Sequence, residues 1–250
     1  QAPYLDMPLF FGTSKGPVLT LLHAYDQLRQ VGARGWQGLS PNAAGQVAMG
    51  VGAVGSALAQ ALKLPGGTTS VAACASGMHA LHRAVSAVER GECPRALVVA
   101  ADASLHPLFE GSFARLGVLA PADETGAVRC EPFADQGRGF FLIEAGAALL
   151  LEKHPQPGAV TIENTWIGGD ATNLVAVDPE TRSLRTGLRH AMPETAADLA
   201  FVHAHATGTA HDRYERAAIR AVAGPTVPIF SHKRWLGHSL GAAGLLSVAL

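Results

Sequence analysis

Four side chains in this sequence are of types suited to nucleophilic and electrostatic chemistry and stand at strand ends or turns: Cys74, His205, Lys233 and His238. Cys74 follows a short run containing Thr68, Thr69 and Val71, which reads as a buried strand, and it precedes a segment in which Met78, Leu81, Val85 and Val88 recur at helical spacing until Gly91 stops it. A thiol at such a strand-to-helix turn faces free backbone N–H groups and the positive end of the helix dipole. Both favour the thiolate, the nucleophilic form, and the same amides can hold a developing oxyanion. Cys93 and Cys130 lack a following helix start and read as small buried hydrophobes. Three cysteines without close pairing suggest a reducing compartment rather than a disulfide framework.

His205 ends an apolar run and enters a loop containing Thr207, Gly208 and Thr209. Gly208 permits a tight backbone course, and the two threonines are expected to hydrogen-bond within the loop. Asp212 and Glu215 follow, Asp212 being placed to cap the next helix. Lys233 comes after a second short strand, and His238 sits in a glycine-flanked turn opening a small-residue helix. One alternative use of these histidines is metal-dependent hydrolysis, since His203 and His205 share one side of a strand, but no further carboxylate-rich ligand set is evident. Arg213, Arg216 and Arg220 share a helix face, suited to an acidic partner or simply to solvent. Residues 12–16 superficially suggest a phosphate loop but lack its G-x-x-x-x-G-K-[ST] spacing.

The elements that must position these residues alternate. Helical patterns are expected over 16–29 and 45–62, then the Cys74 unit, then a strand over 96–101 closing a strand–helix–strand crossover. Strands are expected within 140–152. The loop KHPQPG marks a boundary, after which strands over 159–164, 199–205 and 227–230 alternate with helices. A chain of 250 residues with 48% hydrophobic and 16% charged residues suits one large domain of the α/β class. The net charge of −1 gives no global attraction to nucleic acid. No run of about eighteen apolar residues predicts a membrane span, and the first eleven residues lack a secretory signal's basic start, so a cytoplasmic location is the expectation.

ACASG around Cys74, AHATGT around His205 and SHKRWLGHSLGAAG around Lys233 and His238 occur in the order and approximate spacing of β-ketoacyl synthases. The chain resembles that Cys-His-His branch of the thiolase-like superfamily over nearly its whole length. EPFADQGRGFFLIEAGAALLLE is similar to the family segment that runs from a Pro-Phe-Asp-type turn into two core strands, with Glu144 in the acidic position. The resemblance implies a duplicated, layered α/β/α fold in a single domain, with halves at 1–153 and 154–250. It also implies that the usual first strand and the C-terminal segment, with its Gly-Phe-Gly-Gly-type loop, are missing. Ala75, Ala206 and the run EAGAA depart from the more usual serine and glycines.

By the same resemblance, Cys74 accepts the acyl group, His205 and His238 promote decarboxylation of a malonyl extender, and Lys233 balances charge with Glu215 as a network partner. Thr207 and Thr209 shape the loop, and no cofactor or metal is implied. The implied activity is decarboxylative condensation with malonyl-acyl carrier protein in fatty acid or polyketide synthesis, by a homodimer or a ketosynthase heterodimer. His238, where chain-initiating relatives carry asparagine, points to elongation. The alternative is a non-catalytic, chain-length-factor-like subunit. Leu105, Phe109, Phe113 and Leu116 lie where the family builds acyl-chain or dimer contacts, although ordinary packing explains them equally well.

Overall fold

The computed structural model describes residues 6–31, 48–154, 156–172, 176–193 and 198–250. The chain forms two compact units, one of residues 1–105, 144–154 and 239–250, the other of residues 106–143 and 155–238. In the first unit a four-stranded sheet runs in the order β2-β1-β3-β4, where β1 is Leu9–Gly12, β2 Gly67–Ser70, β3 Arg95–Asp102 and β4 Ala145–Glu152. β1 pairs in parallel with β2 and β3, whereas β4 is antiparallel to β3 over eight residues, from Arg95↔Glu152 to Asp102↔Ala145.

Three helices of this unit follow from sequence periodicity: α1 (Val18–Val31), α2 (Ala53–Ala61) and α3 (Ser76–Glu89). The helix expected over 45–62 is seen as α2, residues 45–47 lying outside the described ones. α3 buries Ala80, Leu81, Ala84, Val85, Ala87 and Val88, a stripe at three- and four-residue spacing. The alanines in that stripe let the helix approach the sheet closely, and Gly91, at φ 74°, ends it in the left-handed conformation. β3 alternates so that Ala96, Val98 and Ala100 are buried, while Leu97, Val99 and Ala101 lie on the opposite face with Leu9, Phe11 and the α2 residue Ala59. Burying a side chain such as Phe11 or Leu9 contributes about 1.5–3 kcal/mol.

The second unit holds α4 (Pro107–Arg115), α5 (Arg182–Ala191), β5 (Val202–His203), α6 (Asp212–Ala223), β6 (Ile229–Phe230) and α7 (Lys233–Leu236). β5 and β6 form a short parallel pair with Val202 opposite Ile229 and His203 opposite Phe230. Ala204, Ala206, Ile219, Ala223 and Val227 make its core, with Leu188, Met192 and Leu199 packed against it.

Several expectations change. The strand over 159–164 is absent: that stretch has no ladder partner among the described residues, and Val160 is 94% exposed. The strands over 199–205 and 227–230 contract to the two residues each that pair with one another. Of the two strands expected within 140–152 only β4 forms a ladder, Phe140 and Leu142 making isolated bridges to Leu119 and His238. Val71 lies beyond the end of β2 and is 54% exposed rather than buried. After His238, the segment Leu240–Ala242 forms a 3₁₀ turn and Ala243–Ala249 forms α8 in the first unit.

Candidate active site

The nucleophile turn is built by close approach. β2 ends at Ser70, Ala73 adopts a left-handed φ of 47°, and α3 begins at Ser76, so Cys74 occupies the bend two residues before the helix. Ser76, fully buried, clamps this bend: its hydroxyl accepts from Ala72 N at 2.9 Å and donates to the Ala73 carbonyl at 2.7 Å. Those bonds offset the roughly 1–2 kcal/mol that a left-handed alanine costs. The first turn of α3 packs tightly against its neighbours at two glycines. A Cβ at Gly12 would lie 2.7 Å from the Ser76 carbonyl oxygen, and one at Gly77 would lie 2.9 Å from that of Gly241.

Asp102, at the end of β3, ties the neighbouring loops together. Its buried carboxylate accepts from Thr13 Oγ1 (2.8 Å), Ser14 N (3.0 Å), Lys15 N (3.3 Å) and Gly241 N (2.6 Å). The amides of residues 14 and 15 therefore form an anion cradle already filled by the protein's own carboxylate, which explains physically why residues 12–16 are not a phosphate loop. Sequence reasoning passed over Asp102, although a lone acid closing the apolar run ALVVAAD was a usable signal.

In the second unit His205, Lys233, His238, Glu215, Thr207 and Thr209 come together, while Cys74 belongs to the first unit. Glu215 accepts from the backbone of His205 (2.7 Å) and Ala206 (2.8 Å). Lys233 is buried and its Nζ donates to the His205 carbonyl at 2.6 Å, so it meets Glu215 through the His205 backbone. Thr207 and Thr209 share a hydroxyl bond of 3.1 Å, and Gly208, at φ 71°, permits the tight turn between them. His238 is held by its backbone, donating to Phe141 O at 2.9 Å and accepting from Ile143 N at 3.1 Å. Its ring stands edge-on to Phe140, 4.8 Å between centroids, and to His205, 5.5 Å away.

Asp212 does not cap the helix as expected. It is the first helical residue, and its buried carboxylate turns back to accept from Phe133, Thr207 and Gly208 amides at 2.9–3.0 Å. Two of the three arginines on the α6 face are committed to backbone carbonyls, while Arg213 stays exposed. Arg216 donates to the Phe133 carbonyl and lies over that ring, Arg220 donates to Val227 O at 2.6 Å, and Arg213 bonds Tyr214. Glu144 accepts from Leu105 N at 3.0 Å. α4 buries none of its residues, and Leu105 and Leu116 on either side of it are exposed; Phe113 meets Phe140 edge-on.

Electrostatics here favour neutral imidazoles. Burial, then the Lys233 charge and the neighbouring His232, pushes His205 down to about 3. His205 nevertheless keeps an exposed surface, so its surroundings crowd the ring without sealing it. His238 is buried and is held well below the ordinary histidine value by burial first, then by His205, Lys233 and His232. Glu215 is raised by burial against the lowering effect of its two amide donors. Burial lifts Cys130 to about 11 and raises Cys93, consistent with small inert thiols. A neutral imidazole offers one N–H donor, so His205 and His238 are suited to stabilising an oxyanion without first giving up a proton.

Residues 7–156 match the β-ketoacyl synthase N-terminal domain, and residues 160–250 match the β-ketoacyl synthase C-terminal domain. The chain is 31% identical over 251 residues to 3-oxoacyl-[acyl-carrier-protein] synthase 2 of Mycobacterium tuberculosis, covering 96% of this chain and 59% of that protein. A β-ketoacyl synthase structure from Burkholderia phymatum superposes with a TM-score of 0.82 at 24% identity, covering 97% of this chain and 60% of that one. The ketosynthase ApeO in complex with its chain length factor ApeC, from Xenorhabdus doucetiae, gives 0.79 at 25% identity, with coverages of 97% and 59%. The fold is thus thiolase-like α/β, and the chain spans about three fifths of the length of these relatives. No helix among the described residues is long and apolar enough to cross a membrane.

Proposed function

Because the chain belongs to the β-ketoacyl synthase family, we propose that it is a single ketosynthase-like domain, with halves at 1–153 and 154–250, acting in decarboxylative carbon–carbon condensation on carrier-protein thioesters. The observation that carries this reading is the set of His205, Lys233 and His238 in one cluster, with both imidazoles biased to the neutral form. In the proposed reaction the Cys74 thiolate attacks an acyl thioester and expels the carrier thiolate, which takes up a proton, leaving acyl-Cys74. A malonyl thioester then loses carbon dioxide. The electron pair of the broken C–C bond becomes an enolate, whose oxygen the N–H groups of His205 and His238 stabilise. That carbon attacks the acyl-Cys74 carbonyl, and collapse of the tetrahedral intermediate releases the Cys74 thiolate and the 3-oxoacyl product. Lys233 holds the His205 peptide and offsets negative charge, with Glu215, Thr207 and Thr209 fixing the loop. Electron pairs move only between thioesters and carbon dioxide, so the reaction requires no cofactor.

The partner in this reading is an acyl carrier protein bearing acyl or malonyl groups, in the cytoplasm, and the active form is a homodimer or a ketosynthase heterodimer. The pathway is fatty acid or polyketide synthesis. The deciding assay follows release of carbon dioxide from malonyl-carrier protein with an acyl-carrier protein as primer. Release coupled to a 3-oxoacyl product supports the reading. A chain that becomes acylated or active only with a second ketosynthase subunit is instead a partner-dependent, chain-length-factor-like subunit.

A further inference from the structure

One histidine pair in the second unit has no place in that chemistry. His203 lies on β5 two residues before His205, and His232 immediately precedes Lys233. Nε2 of His203 accepts the backbone N–H of His232 at 3.1 Å, and the same nitrogen lies 3.0 Å from Nδ1 of His232. A nitrogen that accepts an amide N–H carries no proton, so the contact to Nδ1 is attractive only if His232 bears its proton there. The pattern places the protons: His203 is neutral and protonated on Nδ1, and His232 carries a proton on Nδ1. His203 also stacks on Phe230, its register partner, at 4.5 Å.

The same strand end thus holds the β6–α7 turn at two points, through the His203 ring to His232 and through the His205 carbonyl to Lys233 Nζ. His232 also starts α7, its carbonyl accepting from Trp235 and Leu236 N at 3.0 Å. We propose that His203 and His232 form a proton-fixed clasp that positions Lys233, and that protonation of His203 at Nε2 opens it. A proton there converts the acceptor into a donor facing two other N–H groups. The titratable groups around the pair are His205 from the loop after β5, Lys233 from α7, His238 from the following turn and Glu215 from α6, which grips the His205 amide. Burial first, then the Lys233 charge and His203, holds His232 down at about 4.

The effect on turnover rests on the ketosynthase reading, so the experiment has two independent readouts on wild type, His203→Gln and His203→Leu. Glutamine reaches to a similar depth and keeps an acceptor oxygen but cannot be protonated, whereas leucine removes the acceptor. Nitrogen-15 imidazole spectra are expected to show His232 protonated on Nδ1 in wild type and in His203→Gln. In malonyl decarboxylation, His203→Leu is expected to lose about tenfold in kcat with little change in KM. His203→Gln keeps at least about half of the wild-type kcat and loses an acid-side inflection that wild type shows. A His232 proton on Nε2, a wild-type kcat in His203→Leu, or equal impairment in both variants overturns the clasp. If wild type decarboxylates nothing, the ketosynthase reading fails and the tautomer spectrum alone decides the clasp.

Discussion

The turn that carries Cys74 and the cluster that carries His205, Lys233 and His238 are held by contrasting means. The cysteine turn is fixed by the absence of atoms: Gly12 and Gly77 leave no room for a Cβ, and a small hydroxyl at Ser76 pins a left-handed alanine. The histidine cluster is fixed by charge, with a buried ammonium on one face of the His205 peptide and a carboxylate on the other. Both regions nonetheless use one device, a buried aspartate gathering the amides of a glycine-containing loop, Asp102 in the first unit and Asp212 in the second. Steric fit keeps a nucleophile rigid without introducing charge. Charge-based packing sets the protonation states of the two imidazoles, on which the proposed decarboxylation draws.

The largest expected effect breaks the steric side chemically. Cys74→Ala is expected to abolish acyl-enzyme formation altogether, measured as mass added from an acyl thioester. Next, His238→Ala and His205→Ala are expected to reduce malonyl decarboxylation by about a hundredfold or more while leaving acylation of Cys74 largely intact, which separates the two regions by step. Loss of acylation in those variants would merge them.

Much of this was legible in the sequence. The α3 stripe carries its period openly, β3 and β4 read as apolar runs, and Cys74, His205, Lys233 and His238 stand in recognisable local strings. The strand over 159–164 was not legible, because a strand exists only with a neighbour and nothing in its own residues says whether one is present. Asp212 looked like a cap because its type suits one, yet its carboxylate serves Phe133, 79 residues away in sequence. Asp102 and the His203–His232 pair are equally tertiary: their partners lie 88 and 29 residues off, beyond any local pattern.

Smaller effects sharpen the contrast. Asp102→Ala leaves the buried Gly241 amide and the half-buried Ser14 and Lys15 amides without their acceptor and is expected to cost about 3 kcal/mol in urea unfolding, as is Asp212→Ala. A stability change under about 1 kcal/mol for either would show that water replaces the carboxylate. The weakest lever is pH. His205, His232 and His238 all have folded values depressed below the ordinary histidine range, so the unfolded chain binds more protons in acid. Their contribution is full above about pH 6.5 and is lost progressively as pH falls below it. Glu215, raised by burial, acts in the opposite sense above its ordinary value, one group against three. Tm is therefore expected to fall between pH 7.5 and pH 5, and His238→Asn to flatten that dependence. A Tm that rises on acidification would contradict the assigned protonation states.

The most direct measurement is the intact mass of the purified chain after incubation with an acyl-carrier-protein thioester, beside Cys74→Ala. An acyl increment on the wild-type chain and none on the variant is the predicted result. An unmodified wild-type chain, folded and mixed with a carrier thioester shown to be intact, would contradict Cys74 as the nucleophile of this chain acting alone.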